Sequence, residues 1–447
     1  MVIEGARVGH RRVIGLAVPI ILANLTQPIV SAVDTGVAGH LADPSYLGGV
    51  ALGGLLFNFL FWGFGFLRMG TTGLIAQAHG AGEAEGLRST LLRALSVAGV
   101  IGTAVLLLQE PLIEGALALL GGSPAVRSNA SVYCHARIWS APLALANYVV
   151  LGYLLGLQRV RLGLLLQVVI NLVNIVAVFV LVFAAHAGLG GIGWAAALAD
   201  GFGFMLGMVI VARLWPRGLA RPELAVLFEA RALRKLLFIN LNLFLRTICL
   251  LGTFAWFAHE GARQGDVILA GNAILLNFQT FMAYALDGFA NATEALVGAA
   301  IGAGDRRGLR AAIRVSTLWA GVTAAAFVLF YVCAGSGLID LLTSLPAVAA
   351  AAQRYLPWAA VSPLICVWGF QFDGVFIGAT RTRELMLAMF FSCTLFGASA
   401  AVLEPRFGND GLWCALLVFM AARGLSLAAL LPRLVAASGH PGVPSPS

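Results

Sequence analysis

The stretch TGLIAQAHGAGEAEGLR (72–88) returns 222 residues later as EALVGAAIGAGDRRGLR (294–310). With Thr71 and Thr293 included, nine of 18 positions are identical. GLQRVR (156–161) overlies GATRTR (378–383) at the same offset, and SAPL (140–143) overlies VSPL (361–364) at 221. Three matches in register identify a tandem duplication. Whatever one half of the chain builds, the other half builds again.

Composition says what that half is. Of 447 residues 60% are hydrophobic and 11% charged, and the mean hydropathy is +0.92. A soluble domain carries about 25% charged and 45–50% apolar residues, so an ordinary cytosolic enzyme is excluded. Disorder is excluded by the wealth of Leu, Val, Ile and Phe. The six cysteines lie in or beside apolar runs without CxxC or Cys/His spacing, so they read as small buried apolar side chains and not as a disulfide framework or metal site. The first apolar run is too long for a cleaved signal peptide.

A membrane-crossing helix needs about 20 mostly apolar residues. Such runs fall near 13–38, 47–78, 90–109, 132–157, 162–185, 190–212, 236–258, 268–301, 311–335, 353–379, 385–403 and 410–432. The expected fold is an all-α polytopic membrane protein of 12 transmembrane helices in two six-helix lobes. An even number of spans per copy gives both copies the same orientation, a parallel internal repeat. The lobes are expected at 1–212 and 236–432, with a linker at 213–235 and a tail at 433–447. The linker contains Pro216, Pro222 and six basic residues.

Alternate loops sort the basic residues. Twenty, from Arg7, Arg11 and Arg12 through the linker to Arg433, fall on one side; five (Arg127, Arg137, Arg263, Arg354 and Arg406) fall on the other. By the positive-inside rule the richer side and both termini are cytoplasmic. The surplus of +8 therefore reports topology and no nucleic-acid partner.

Polar groups at membrane depth carry the functional information, because a charge at a helix centre costs at least about 2.5–3.5 kcal/mol. Asp34 lies on the first span, Asn171 and Asn174 on the fifth, and Asp200 on the sixth. Asn171 and Asn174 share a helix face, roughly 14–18 Å from the cytoplasmic end of their span. Asp200 lies at similar depth. Two carboxylates in a low-dielectric pocket repel, and burial disfavours their charged forms; with flanking amides, that is the chemistry of a proton-binding site. An Asp pair with amides could also coordinate Na+. Buried asparagines that merely bridge helices are the plainer alternative. Pro19 removes a backbone hydrogen bond inside the first span and bends it.

Gln27, Tyr153, Asp287 and Asp373 are candidates for lining a substrate cavity. For the two acids, a salt-bridge network with Arg246 or Arg423 is the structural alternative. Glu294 reads as a solvated or capping group near a helix end. His135, near the start of the fourth span, is a proton-relay candidate by residue type, with an ordinary structural residue as the plainer alternative.

No GxxxxGK[ST], HExxH or GxSxG motif is present, so neither an ATP-binding loop nor a catalytic constellation is carried, and no enzyme, cofactor or metal is expected. Two duplicated lobes suit alternating access better than a fixed pore, although channels can also be duplicated.

LAVPIILANLTQPIVSAVDTGVAGHL (16–41), LRMGTTGLIAQAHGAG (67–82), YALDGFANATEA (284–295), FDGVFIGATRTREL (372–385) and ARGLSLA (422–428) resemble the multidrug and toxic compound extrusion family, in its DNA-damage-inducible, DinF-like branch. The likeness runs over essentially the whole chain. It implies a V-shaped pair of lobes and export of drugs against inward H+ or Na+. In that branch an acid on the first helix follows a bending proline by 15 residues, as Asp34 follows Pro19 here. The branch's amide pair resembles Asn171 and Asn174, and its second acid Asp200. Another branch binds Na+ using an acid on the seventh helix, where this sequence has Arg246; Asp373 resembles that branch's acid on the tenth. The expectation is thus a proton-coupled antiporter exporting cationic or amphipathic drugs or toxic metabolites, a monomer in the bacterial inner membrane. A Na+-coupled antiporter and a lipid or lipid-linked-sugar flippase are the alternatives.

Overall fold

Each apolar run becomes a helix long enough to cross a bilayer. The computed structural model describes residues 8–40, 43–215 and 229–437, and among them all regular structure is helical. Twelve candidate spans follow in the expected order: His10–Gly39, Ser45–Ala81, Ala84–Leu107, Pro124–Gly156, Val160–Ala184, Gly188–Leu214, Ala230–Arg263, Asp266–Gly302, Arg306–Leu342, Pro346–Gly378, Thr382–Phe407 and Asn409–Ala437. Most of the expected linker and tail (216–228 and 438–447) lie outside the described residues.

Several helices start earlier than hydropathy suggests, because polar caps precede the apolar run. Asp43 accepts the backbone N–H of Ser45 at 2.8 Å, with Pro44 at the first turn, where a missing N–H costs nothing. The Ser45 hydrogen bonds hold the Asp43 carboxyl below the usual carboxylate range. Ser123 caps the fourth span in the same way, through Val126 N–H at 3.3 Å. Asp305 caps the ninth through Gly308 N–H at 2.8 Å. A further helix, Gln109–Leu120, was not expected from the sequence; it lies between the third and fourth spans. His135 on the fourth span reaches Glu110 of this helix at 3.2 Å.

The duplication is written in the backbone. Where a Cβ on Gly152 would strike the Arg68 carbonyl, one on Gly374 would strike that of Ala290, 222 residues on from each. Gly156 meets Thr72 as Gly378 meets Glu294, and Gly49 meets Ala130 as Gly271 meets Ala352. The left-handed residues repeat as well: Gly82 at φ 72° with Gly304 at 65°, and Gln158 at 58° with Thr380 at 55°. Small residues at these positions let helix backbones touch, the usual basis of packing where lipid offers no hydrophobic drive.

The described residues cluster into two compact units whose bounds differ from the sequence halves at the start of the chain, at Ala76–Gly82 and at the start of the seventh span. One unit takes the residues up to Ile21, Ala76–Gly82 and those from Leu241 onward; the other takes Leu22–Ile75 and Glu83–Asn240. Close glycine contacts accompany the first two of these differences. Gly288 packs on Ala17 and Ile21, Gly80 on the Ala299 carbonyl, and Gly302 on that of Gln77.

In the Leu22–Asn240 unit the core gathers Val37, Phe57, Ile113, Tyr133, Val178 and Ile192 from six helices. Large apolar side chains such as Val100, Leu107, Leu329, Val332 and Leu425 stay on the outside, as expected where hydrocarbon is the solvent.

Candidate functional site

The first span is two helices joined at a break. His10–Leu25 runs unbroken through Pro19; the interruption falls at Thr26, before Gln27–Gly39. Pro28 has no N–H to give to the turn before it, so the helix ends and restarts with Pro28 in its first turn. The Thr26 hydroxyl donates to the Ala23 carbonyl at 2.7 Å and accepts from the Asn171 side-chain amide at 2.6 Å. The Asn171 oxygen accepts in turn from Gln167 at 3.1 Å. A polar chain, Gln167 and Asn171 from the fifth span and then Thr26, thus ends on a backbone carbonyl at the break, the kind of partner irregular backbone at membrane depth requires.

Two turns beyond the break, Asp34 is buried with its Oδ1 lacking a hydrogen-bond partner. Asn174, one turn along the fifth span from Asn171, is buried with its own Oδ1 unpartnered. Val37 and Ala38, on Asp34's side of the helix, pack into the apolar cluster with Phe57, Tyr133 and Cys134. Asp200, half-buried on the sixth span, is held through its backbone: the Asn147 amide donates to its carbonyl at 2.9 Å and contacts Oδ1 at 3.5 Å.

The residue that the sequence reading missed is Arg137. Counted with the outer loops, it lies instead well inside the fourth span, Pro124–Gly156. The polar first turns of that helix, PAVRSNASVYCHAR, hide the true start of the span from a hydropathy reading. The Arg137 guanidinium donates to the Tyr133 hydroxyl and lies 4.9 Å from the Phe57 ring, 5.6 Å from Tyr133 and 6.0 Å from Phe61. Its charge acts on both Asp34 and Asp200. With both acids ionised, these three groups carry one net negative charge, which a proton or a monovalent cation would balance.

Of the cavity candidates in this unit, Gln27 is exposed at the start of the restarted helix, and Tyr153 is fully buried.

The other unit has its own charged cluster. Arg246 and Arg423 both donate to the same oxygen of Asp373, and all three are buried. Asp287, half-buried on the eighth span, acts on Arg246. Two guanidiniums face two carboxylates, a neutral set. Glu294 is not a solvated end group. It is 1% exposed and sits eight residues before the end of its helix, beside Thr293, which accepts from Gln371 at 2.8 Å.

A duplicated twelve-span bundle with opposed buried charges and a broken first helix defines the architecture of a membrane transporter. A model of the MatE family matches residues 19–180 and 244–403, so the chain belongs to that family, whose members are transporters and not enzymes. It is similar to the DNA damage-inducible protein F of Escherichia coli (strain K12), 42% identical over 94% of this chain and 91% of that one. It is also similar to the multidrug resistance protein MdtK of Pectobacterium atrosepticum, at 26% identity over 94% of this chain and 93% of that one. Among solved structures, a MATE transporter in its bent conformation superposes with a TM-score of 0.87 over 96% of this chain and 97% of that one, at 18% identity, which establishes the fold. With bacterial relatives and twelve candidate spans, the chain is a multi-pass membrane protein of bacterial type.

Proposed function

We propose that this chain is a proton-coupled exporter that expels cationic or amphipathic drugs and toxic metabolites from the cell. It works as a monomer in the inner membrane with both termini in the cytoplasm. Asp34 takes up a proton from the outer side. Its carboxylate then becomes a donor, the hydrogen bonds around Asp200, Asn171 and Asn174 rearrange, and the first span moves at its weak points, Pro19 and the Thr26 break. Proton and drug compete because each has higher affinity for a different state, and that difference is all the coupling requires. A potential of 100 mV contributes about 2.3 kcal/mol per inward charge, enough for tens-fold accumulation against a gradient.

The observation that carries this reading is the buried, unpartnered Oδ1 of Asp34 on the short helix that begins at the break. A buried carboxylate oxygen without a donor is expensive when charged, and protonation relieves that expense. A flippase needs cations available to a lipid headgroup, whereas Arg246 and Arg423 are both committed to Asp373.

The test is ethidium or norfloxacin efflux from proteoliposomes under an imposed pH gradient, with and without Na+, comparing wild type with Asp34→Asn. Efflux that follows the pH gradient and vanishes in the variant supports proton antiport. A strict need for Na+ changes the coupling ion. If neither gradient moves drug, the export reading fails for these compounds.

A further inference from the structure

We propose that Arg137 is the resident counter-cation of the Asp34–Asp200 site, and that its fixed charge makes the site selective for a proton over a sodium ion. The inference rests on the reading of those two acids as the coupling groups.

The guanidinium is built in. Tyr133, one turn earlier on the same helix, accepts from its Nη1, and the rings of Phe57 and Phe61 on the second span lie against it. Gly193 on the sixth span has no side chain where a Cβ would strike Tyr133 O, Ala136 and Arg137 N, so that helix closes on the Arg137 backbone. Asp200 follows two turns along the same helix. The Arg137 Nε is buried without a partner. Aromatic faces stabilise a desolvated cation but neutralise nothing; the carboxylates supply the opposing charge. The titratable groups around the guanidinium are Asp34, Tyr133, Cys134, Tyr148 and Asp200, with Arg68 also acting on Tyr148. His135 turns away to Glu110.

The two ions respond differently to that charge. A sodium ion is held by the field of the site alone, after losing its water. A guanidinium whose charge reaches both acids lowers the net negative charge that would attract it, from two to one. A proton forms an O–H bond with a carboxylate, and the neighbouring cation only shifts the pH at which this happens. The same residue therefore removes most of the sodium affinity and merely tunes the proton affinity.

The experiment uses the intact transporter. Ethidium efflux from proteoliposomes is followed against external pH for wild type, Arg137→Gln and Arg137→Lys. Thermal unfolding of the purified protein is followed in parallel, in sodium against choline chloride at equal ionic strength. Removing the charge makes carboxylate protonation easier, so the efflux profile of Arg137→Gln should move to higher pH by about one unit; Arg137→Lys should keep the wild-type position. Sodium should raise the unfolding temperature of Arg137→Gln and leave wild type unmoved. An unshifted Gln profile beside an active wild type overturns the proposal, and so does sodium stabilisation equal in both proteins. If wild type shows no gradient-driven efflux, the coupling reading fails, while the sodium comparison still decides whether Arg137 sets ion preference. Should Arg137→Gln not accumulate, Arg137→Met removes the same charge with an apolar side chain of similar length. It is expected to shift both readouts as Arg137→Gln would, and no shift there counts against the proposal.

Discussion

Asn171 donates its side-chain amide to the Thr26 hydroxyl at 2.6 Å, and so ties the fifth span to the break in the first. Interhelical side-chain hydrogen bonds in membranes are worth about 0.6 kcal/mol on average and up to about 1.7. Asn171→Ala and Thr26→Ala should each destabilise by about that much, and the double variant by much less than the sum. A double-mutant cycle on unfolding in mixed micelles reads this directly. Strict additivity would mean that the bond contributes nothing.

Asp373 holds two arginines, and each arginine has Asp373 as its partner. Asp373→Asn leaves two buried guanidiniums short of charge and should cost about 3–5 kcal/mol. Arg246→Met leaves Asp373 still paired with Arg423 and should cost clearly less. Folded yield and unfolding temperature after detergent extraction provide the comparison. The reverse order would show that the two arginines are not held by one acid.

Gly80 and Gly302 meet the backbone of each other's segment, so a side chain at either must push the helices apart. Gly80→Val and Gly302→Val should each lose about 1–3 kcal/mol or more, and to a similar degree, because the contacts are duplicates. A variant at either position with wild-type stability would contradict the close approach.

Asp43 stands at the start of the second span, its carboxyl held below the ordinary range by Ser45. A group with a depressed folded-state value stabilises above its unfolded value and loses that contribution as pH falls through the folded one. Hydrogen-exchange protection of the Ser45 amide should therefore stay level from neutral pH to about 5, and fall only below about 3.9, the unperturbed Asp value. A loss already complete at pH 5 would assign the cap to another group.

Hydropathy alone made the twelve spans legible, since a bilayer crossing is a local property of about 20 residues. The repeat was legible because the glycines of the helix crossings persist in both copies: Gly80 with Gly302, and Gly156 with Gly378. Asp34, Asp200, Asn171 and Asn174 stood out as polar residues in apolar runs. Arg137 did not, because it stood near the outer edge of the expected fourth span (132–157) and was counted with the outer loops; only the packing of Phe57, Tyr133 and Gly193 around it reveals a half-buried charge with an enclosed Nε. Glu294 was misread for the same reason, being close in sequence to the polar GDRRG turn yet facing inward. Pro19 drew attention as the proline inside an apolar run, but the helix breaks where Pro28 and Thr26 coincide, and the Asn171 partner that makes the break affordable comes from 145 residues away.

At the Gly80–Gly302 crossing each segment serves as both knob and hole for its own duplicate. Because the two copies are now one chain, each side of the contact can change without the other. The chain has used that liberty next door. Gln77 reaches the Gly378 carbonyl at 2.9 Å and the Thr380 hydroxyl at 3.3 Å, while its counterpart, Ala299, has no amide with which to do the same. A backbone that has kept its symmetry thus carries side chains that have diverged, and the contrast between Asp34 and Asp200 with Arg137 in one unit and the neutral Arg246–Asp373–Arg423–Asp287 set in the other is divergence of that kind.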